Sequence, residues 1–199
     1  MKCTPLLSMD HIVILRALGL LQVVARHVAR DDGGASSDAK TLLGFFREFA
    51  DRSHHAKEES FLFPRLMKAG MPVEGGPLGV MLFEHDQGRA LVANMSESLD
   101  RGDGPAFQRY AEGYSQLLVE HIEKEDKVLF VMTESALTEQ DDADLVSDFN
   151  AIEVKSGSRI SGKGLDAFIR LFPESSPIIM TPDVFPAFAE DPQAFLAGK

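Results

Sequence analysis

The sequence predicts an all-α protein: an up-down-up-down antiparallel four-helix bundle, followed by a further helix and a Pro/Phe-rich C-terminal extension. Three observations predict it. Apolar residues recur at helical spacing through the first two thirds of the chain, turn-rich breaks of about five to nine residues separate four such stretches, and no strand-like alternation of any length competes.

The first helix is read from His11, where Ile14, Leu15, Leu18, Leu21, Ala25 and Val28 build one stripe that ends near Arg30. The segment Asp31 to Asp38 (DDGGASSD) breaks it. The second helix runs from Ala39 to about Lys68 and carries Leu42, Leu43, Phe45, Phe46, Phe49, Leu62 and Leu66, with Pro64 expected to kink it or loosen its last turns. Ala69 to Pro77 forms the next connection, Pro77 standing where a first helical residue tolerates a missing N–H. The third helix spans about Leu78 to Leu99. The fourth runs from Ala106 to Ala136, with Phe107, Tyr110, Ala111, Tyr114, Leu117, Leu118, Val128, Leu129 and Met132 expected to face one way. Met81, Met95 and Met132 are assigned to the core.

Thr138-Glu-Gln-Asp141 opens an acidic amphipathic helix with Leu145, Val146, Phe149 and Ile152 on its apolar side. Glu134, Glu139, Asp141, Asp142, Asp144 and Asp148 are read as its solvated face. From Ser156 the composition changes. Five of the ten prolines lie between Pro173 and Pro192, interleaved with Phe168, Phe172, Phe185, Phe188 and Phe195, which is more aromatic content than a free disordered tail carries. The domain reading is therefore a four-helix bundle over 1–136, an acidic helix over 137–155, and an extension over 156–199 that packs on the bundle or on a partner subunit, giving a homodimer in the second case.

With 199 residues, 44% hydrophobic and 26% charged, the chain can bury a core of its own. No uninterrupted apolar run of membrane-spanning length stands out, and the start MKCTPLLSMDH lacks a secretory pattern, so a cytoplasmic protein without a membrane partner is expected. A single cysteine, Cys3, excludes an internal disulfide framework and a cysteine-rich zinc or iron–sulfur site, and is read as incidental. Any metal must use nitrogen and oxygen ligands. The balance of 31 acidic against 20 basic residues, a net charge of −11, has the wrong sign for nucleic acid.

The chemistry lies in the histidines. There are six, and each of the four bundle helices holds at least one near its apolar stripe. Taking about 100° per residue, the apolar side of the fourth helix centres near Glu125, with His121 about 40° away. Burying such a carboxylate costs several kcal/mol unless it is paired or metal-bound. The second helix repeats the pattern: HHAKEESFLF aligns without gaps on HIEKEDKVLF, matching His54 to His121 and Glu58 to Glu125. A spacing of four puts each pair on one face, so it can share an ion or let the carboxylate bridge to a second. His11 and His85 come from the first and third helices. A lone buried histidine is more often a hydrogen-bonded core residue than a ligand. Four imidazoles and two carboxylates converging on one bundle core point instead to a dinuclear metal site whose mixed N/O set suits iron first, with manganese and zinc as alternatives. His27, about 24 Å along the helix from His11, is read as a surface residue. Register fits at both outer connections, whereas His54 and His85 come out about 10 Å apart in level.

At these residues the sequence resembles the hemerythrin-like, or HHE cation-binding, family, in particular bacterial members with a motif like FADRSHHAKEESFLFP. EGGPLGVMLFEHDQGRALV and LVEHIEKEDKVLF look like the same family, over residues 8–150. The resemblance implies an oxo- or hydroxo-bridged di-iron centre in which His11 and His54 serve one iron, His85 and His121 the other, and Glu58 and Glu125 bridge. Oxygen-carrying hemerythrins place a second histidine one turn later on the third helix, where this chain has Arg89, a departure that opens coordination positions. His55 is the candidate replacement or an outer hydrogen-bonding group, and Glu59 and Asp126 are the next candidate ligands. The expected metal set is thus His11, His54, His55, Glu58, His85, His121 and Glu125.

The implied function is a metal-binding module that binds or senses oxygen, nitric oxide or peroxide. The alternatives are a di-iron enzyme reducing peroxide or nitric oxide, with Tyr110 or Tyr114 assisting, and iron storage or iron–sulfur repair. The last ranks third, because the cysteine-bearing N-terminal extension of such repair proteins is not seen ahead of the bundle.

Overall fold

The computed structural model describes residues 1–156, with side chains placed through Ile152. The expectations for the 156–199 extension lie outside the described residues. Within them the chain is all-helical: α1 spans Cys3–Ala29, α2 residues 35–68, α3 Pro77–Asp100, α4 residues 104–136 and α5 Glu139–Ser156.

α1 begins a full two turns earlier than its stripe suggests. Its first amides, the unsatisfied donors of any helix start, are met by a residue far along the chain: Asp142 of α5 accepts the N–H groups of Lys2 and Cys3 at 2.9–3.0 Å. α1 also corrects the expectation about membrane-spanning length. One 18-residue window of it has a mean hydropathy of 1.7, enough by length and composition to cross a membrane, because only isolated polar residues interrupt the run. Most of that window, 61%, is buried inside the molecule, so its apolar surface is taken up by the bundle core.

α2 starts at Ala35, inside the predicted break, after Gly34 takes the left-handed conformation at φ +87°. It then departs from α geometry. Ala35–Phe45 is α-helical, Phe46–His55 and Glu58–Leu62 are π-helical, and Phe63–Lys68 returns to α. α4 does the same once, at Glu125–Leu129. In these stretches the hydrogen bond runs five residues back, as from Phe63 N–H to the Glu58 carbonyl. Pro64 sits directly after the second π stretch, where the ladder is already re-spaced, so it marks the loosening without a break.

The π turn in α4 explains a mispredicted stripe. One extra residue per turn carries the apolar phase forward, so Leu129, Phe130 and Thr133 face inward while Val128 and Met132 are exposed. Met81 and Met95 are buried as expected.

Two apolar clusters sandwich a polar layer. One holds Ile14, Leu18, Phe46, Phe49, Val92, Met95, Phe107, Tyr114, Leu118 and Ile122. The other holds Cys3, Leu7, Leu62, Phe63, Leu66, Met81, Leu129, Phe130 and the α5 residues Leu145 and Phe149. α1 passes from the second cluster through His11 to the first, α2 from the first through His54 to the second, and α3 and α4 repeat that alternation. Cys3 is therefore a core residue, its thiol pushed up to about 12 by burial and by Asp142. The acidic residues near α5 are likewise more than a solvated face: Asp142 caps α1, Asp148 pairs with Arg65 at 2.8 Å and Glu134 accepts from Thr4 at 3.0 Å.

Candidate metal centre

The polar layer gathers every predicted ligand. His11, His54, Glu58 and Glu125 each offer one atom within 4.8 Å of the others, and so do Glu58, His85, His121 and Glu125. The two groups share both carboxylates. His55 joins a third group with His85 and His121. All seven side chains are buried. His27 lies apart, half-exposed and paired with Asp32 at 2.7 Å.

The level difference predicted between His54 and His85 is absent: His55, next to His54, stacks on His85 with ring centroids 3.8 Å apart. π-helical turns advance less along the axis per residue, which takes up part of that difference between His54 and the end of α2.

Each imidazole turns Nδ1 outward to a carboxylate. His11 faces Asp126 at 3.0 Å, His85 faces Glu59 at 2.6 Å, His121 faces Glu84 at 2.9 Å, His54 faces Asp10 at 3.4 Å and His55 faces Asp51 at 3.5 Å. The first three contacts are hydrogen bonds, which fix the tautomer that leaves Nε2 free to ligate, whereas Nδ1 of His54 and of His55 faces its carboxylate without a hydrogen bond. The carboxylates are themselves held. Lys57 bonds Asp10 at 2.9 Å, Ser8 bonds Asp126 at 2.8 Å, Lys124 bonds Glu84, and Arg89 bonds Asp51, Glu59 and Asp86 at 2.6–2.9 Å. Arg89, which occupies the position of the missing helix-three histidine, thus lies among the outer carboxylates.

On the inner side the Nε2 atoms come together in pairs, His11 with His54 and His85 with His121, each at 3.1 Å. Two imidazole nitrogens bound at right angles to one ion at about 2.1 Å stand about 3.0 Å apart. Glu58 and Glu125 supply the decisive test of fit. Both are fully buried, and none of their four oxygens has a hydrogen-bond partner among the described residues. The nearest imidazole edges approach Glu125 at 3.2 and 3.3 Å without donating along a usable line. Buried carboxylates left this way cost several kcal/mol each, and cations between them and the Nε2 pairs remove that cost. The donor set fits two metal ions.

Charge is distributed accordingly. Burial, reinforced by Glu125, raises Glu58 well above the usual carboxylate range. Burial also opposes charge on Glu125, but His121 and His11 outweigh it and hold Glu125 low. His121 likewise overcomes burial through Glu125 and Glu84 and rises to about 9. Burial takes His54 down to about 4. His55 is pushed well below its ordinary value by burial and by His85. Asp51 is held at about 2 by His55 and Arg89 against burial.

The site is internally two-fold. Aligning α1 with α3 on His11 and His85, and α2 with α4 on His54 and His121, matches Asp10-His11 to Glu84-His85, Lys57 to Lys124, Glu59 to Asp126 and Phe63 to Phe130. The contacts follow: His11 stacks over Phe130 with centroids 5.5 Å apart and His85 over Phe63 at 6.0 Å. The outer carboxylates were missed by sequence reasoning except for Glu59 and Asp126. Their signal was present, since Asp10 and Glu84 immediately precede the histidines of α1 and α3.

Residues 4–133 match the family model described as the hemerythrin HHE cation binding domain. One curated relative, the iron-sulfur cluster repair protein YtfE of Enterobacter sp. (strain 638), is 37% identical over 87 residues, 39% of this chain and 39% of that protein. The match thus spans about two fifths of the relative's length. No solved structure matches. A family match over well more than half the chain, on a helical core that closes around paired His and Glu side chains, makes this protein a member of the hemerythrin HHE cation-binding family.

Proposed function

We propose that this protein holds two iron ions at the centre of an up-down-up-down four-helix bundle and uses them to bind or sense a small molecule: oxygen, nitric oxide or peroxide. The observation that carries the reading is the pair of buried carboxylates, Glu58 and Glu125, shared by two ligand groups and lacking hydrogen-bond partners among the described residues. In this reading His11 and His54 hold one ion, His85 and His121 the other, His55 adds to the second group, and Glu58 and Glu125 bridge. When bound, the metal pair supplies the redox-active centre and an open coordination position.

The chain's own residues prepare that centre. Asp126, Asp10, Glu59, Glu84 and Asp51 orient the imidazoles, and Lys57, Lys124 and Arg89 neutralise those carboxylates so that the buried layer does not carry uncompensated charge. The two apolar clusters exclude water from both ends. Protein purified from iron-supplemented cells should contain about two irons per chain and show a charge-transfer band altered by oxygen or nitric oxide. Metal-free protein under those conditions defeats the reading.

The named activity of the YtfE relative favours a second reading, in which iron is delivered to damaged iron–sulfur proteins. Transfer of iron from the loaded chain to a metal-free iron–sulfur protein distinguishes it from reversible ligand binding.

A further inference from the structure

The two-fold repeat of the site fails most sharply on one flank. His55 of α2 falls opposite Ile122 of α4, Asp51 opposite Leu118, Arg89 of α3 opposite Leu15 of α1, and Gly88 opposite Ile14. On the apolar side Ile14, Leu118 and Ile122 are buried and packed into the core. On the other side, where glycine replaces isoleucine, a cavity of about 130 Å³ opens between α2, α3 and α4. It runs from exposed Arg47 and Ala93 at its mouth to buried His55 at its inner end, walled by Phe46, Val92 and the ring of Tyr114.

We propose that this cavity is the access route and holding pocket by which a small uncharged molecule, the size of a diatomic gas, reaches the His55/His85/His121 end of the site. The inference rests on the ligand-binding reading above and adds to it one entrance and one side. Between the mouth and His55 the lining is mainly apolar, and of its two cations Arg89 already bonds Asp51, Glu59 and Asp86 while Arg47 stays exposed at the mouth, so an ion passing inward would leave water without a new cationic partner. A neutral molecule loses nothing. The size fits too, since apolar cavities of about 150 Å³ hold xenon or benzene. Gly88 is the residue that keeps the space: a Cβ there would meet Tyr114 at an ordinary 3.5 Å, so larger side chains at this position project into the cavity while the ligand residues stay in place.

Two variants test it. Gly88→Ile installs the residue that α1 carries at the equivalent position, and Ala93→Phe closes the exposed mouth without touching the core. Xenon NMR of the full chain loaded with zinc should show binding in the wild type that is lost in Gly88→Ile. Stopped-flow mixing of the iron-loaded protein with nitric oxide should show association at least about ten-fold slower in both variants, at unchanged iron content. Should Gly88→Ile fail to fold, Ala93→Phe decides. Wild-type association rates in a folded variant with full iron overturn the cavity assignment alone. An iron-loaded wild type that takes up no gas overturns the ligand-binding reading, and this one with it.

Discussion

Glu58 and Glu125 are where the account is most exposed to single substitutions. His121→Ala and Glu58→Ala each remove a proposed ligand and leave buried partners uncompensated, so metal content per chain should fall to half or less and the Tm with it, read by elemental analysis and calorimetry. His27→Ala, distant and half-exposed, should change neither. One turn outward, Glu84→Ala removes the partner that orients His121 and should weaken metal affinity roughly 10- to 100-fold. Protonation gives a further handle. In the metal-free protein His121 titrates at about 9 against an ordinary 6.5, so its stabilising charge is fully present below 6.5 and is lost as pH rises through about 9. The Tm of metal-free protein should therefore fall between pH 6.5 and 9, while metal, taking the place of those protons, should flatten that dependence and release protons on binding. The ligand candidates were legible at this scale because a His-x-x-x-Glu unit occurs twice. The outer carboxylates were less so, since an acidic neighbour of a histidine is unremarkable until the fold shows which helix it faces.

At the scale of elements, helical periodicity located all five helices but not their internal geometry. Nothing in a count of apolar spacings signals a π turn, and the cost was the inverted assignment of Val128 and Met132. The same turns lie at Glu58–Leu62 and Glu125–Leu129, positions equivalent under the repeat, so each widened turn begins at one of the two carboxylates that the ligand groups share. The start of α1 was missed for a different reason: its cap, Asp142, is 139 residues from Cys3. α5 is thereby part of the bundle's closure. Phe149→Ala should cost about 3–5 kcal/mol, because it empties the cluster that covers the site from above, and thermal or urea unfolding would measure it. A loss below about 1 kcal/mol would mean that α5 is dispensable to that end of the core.

Across the whole molecule, the arrangement is a polar slab of seven buried His and Glu side chains held between two apolar clusters, with an outer ring of carboxylates and cations that neutralises it. That architecture was legible in outline, since buried charge on several helices demands a common partner. Its asymmetry was not, because a glycine opposite an isoleucine acquires meaning only once α1 and α3 are seen to play equivalent parts. The most direct test of the central claim is anaerobic metal stoichiometry of the full chain purified from iron-supplemented cells. The account predicts about two irons per chain, falling to half or less in Glu58→Ala; a protein that folds with no metal, or with Glu58→Ala retaining the full complement, would contradict it.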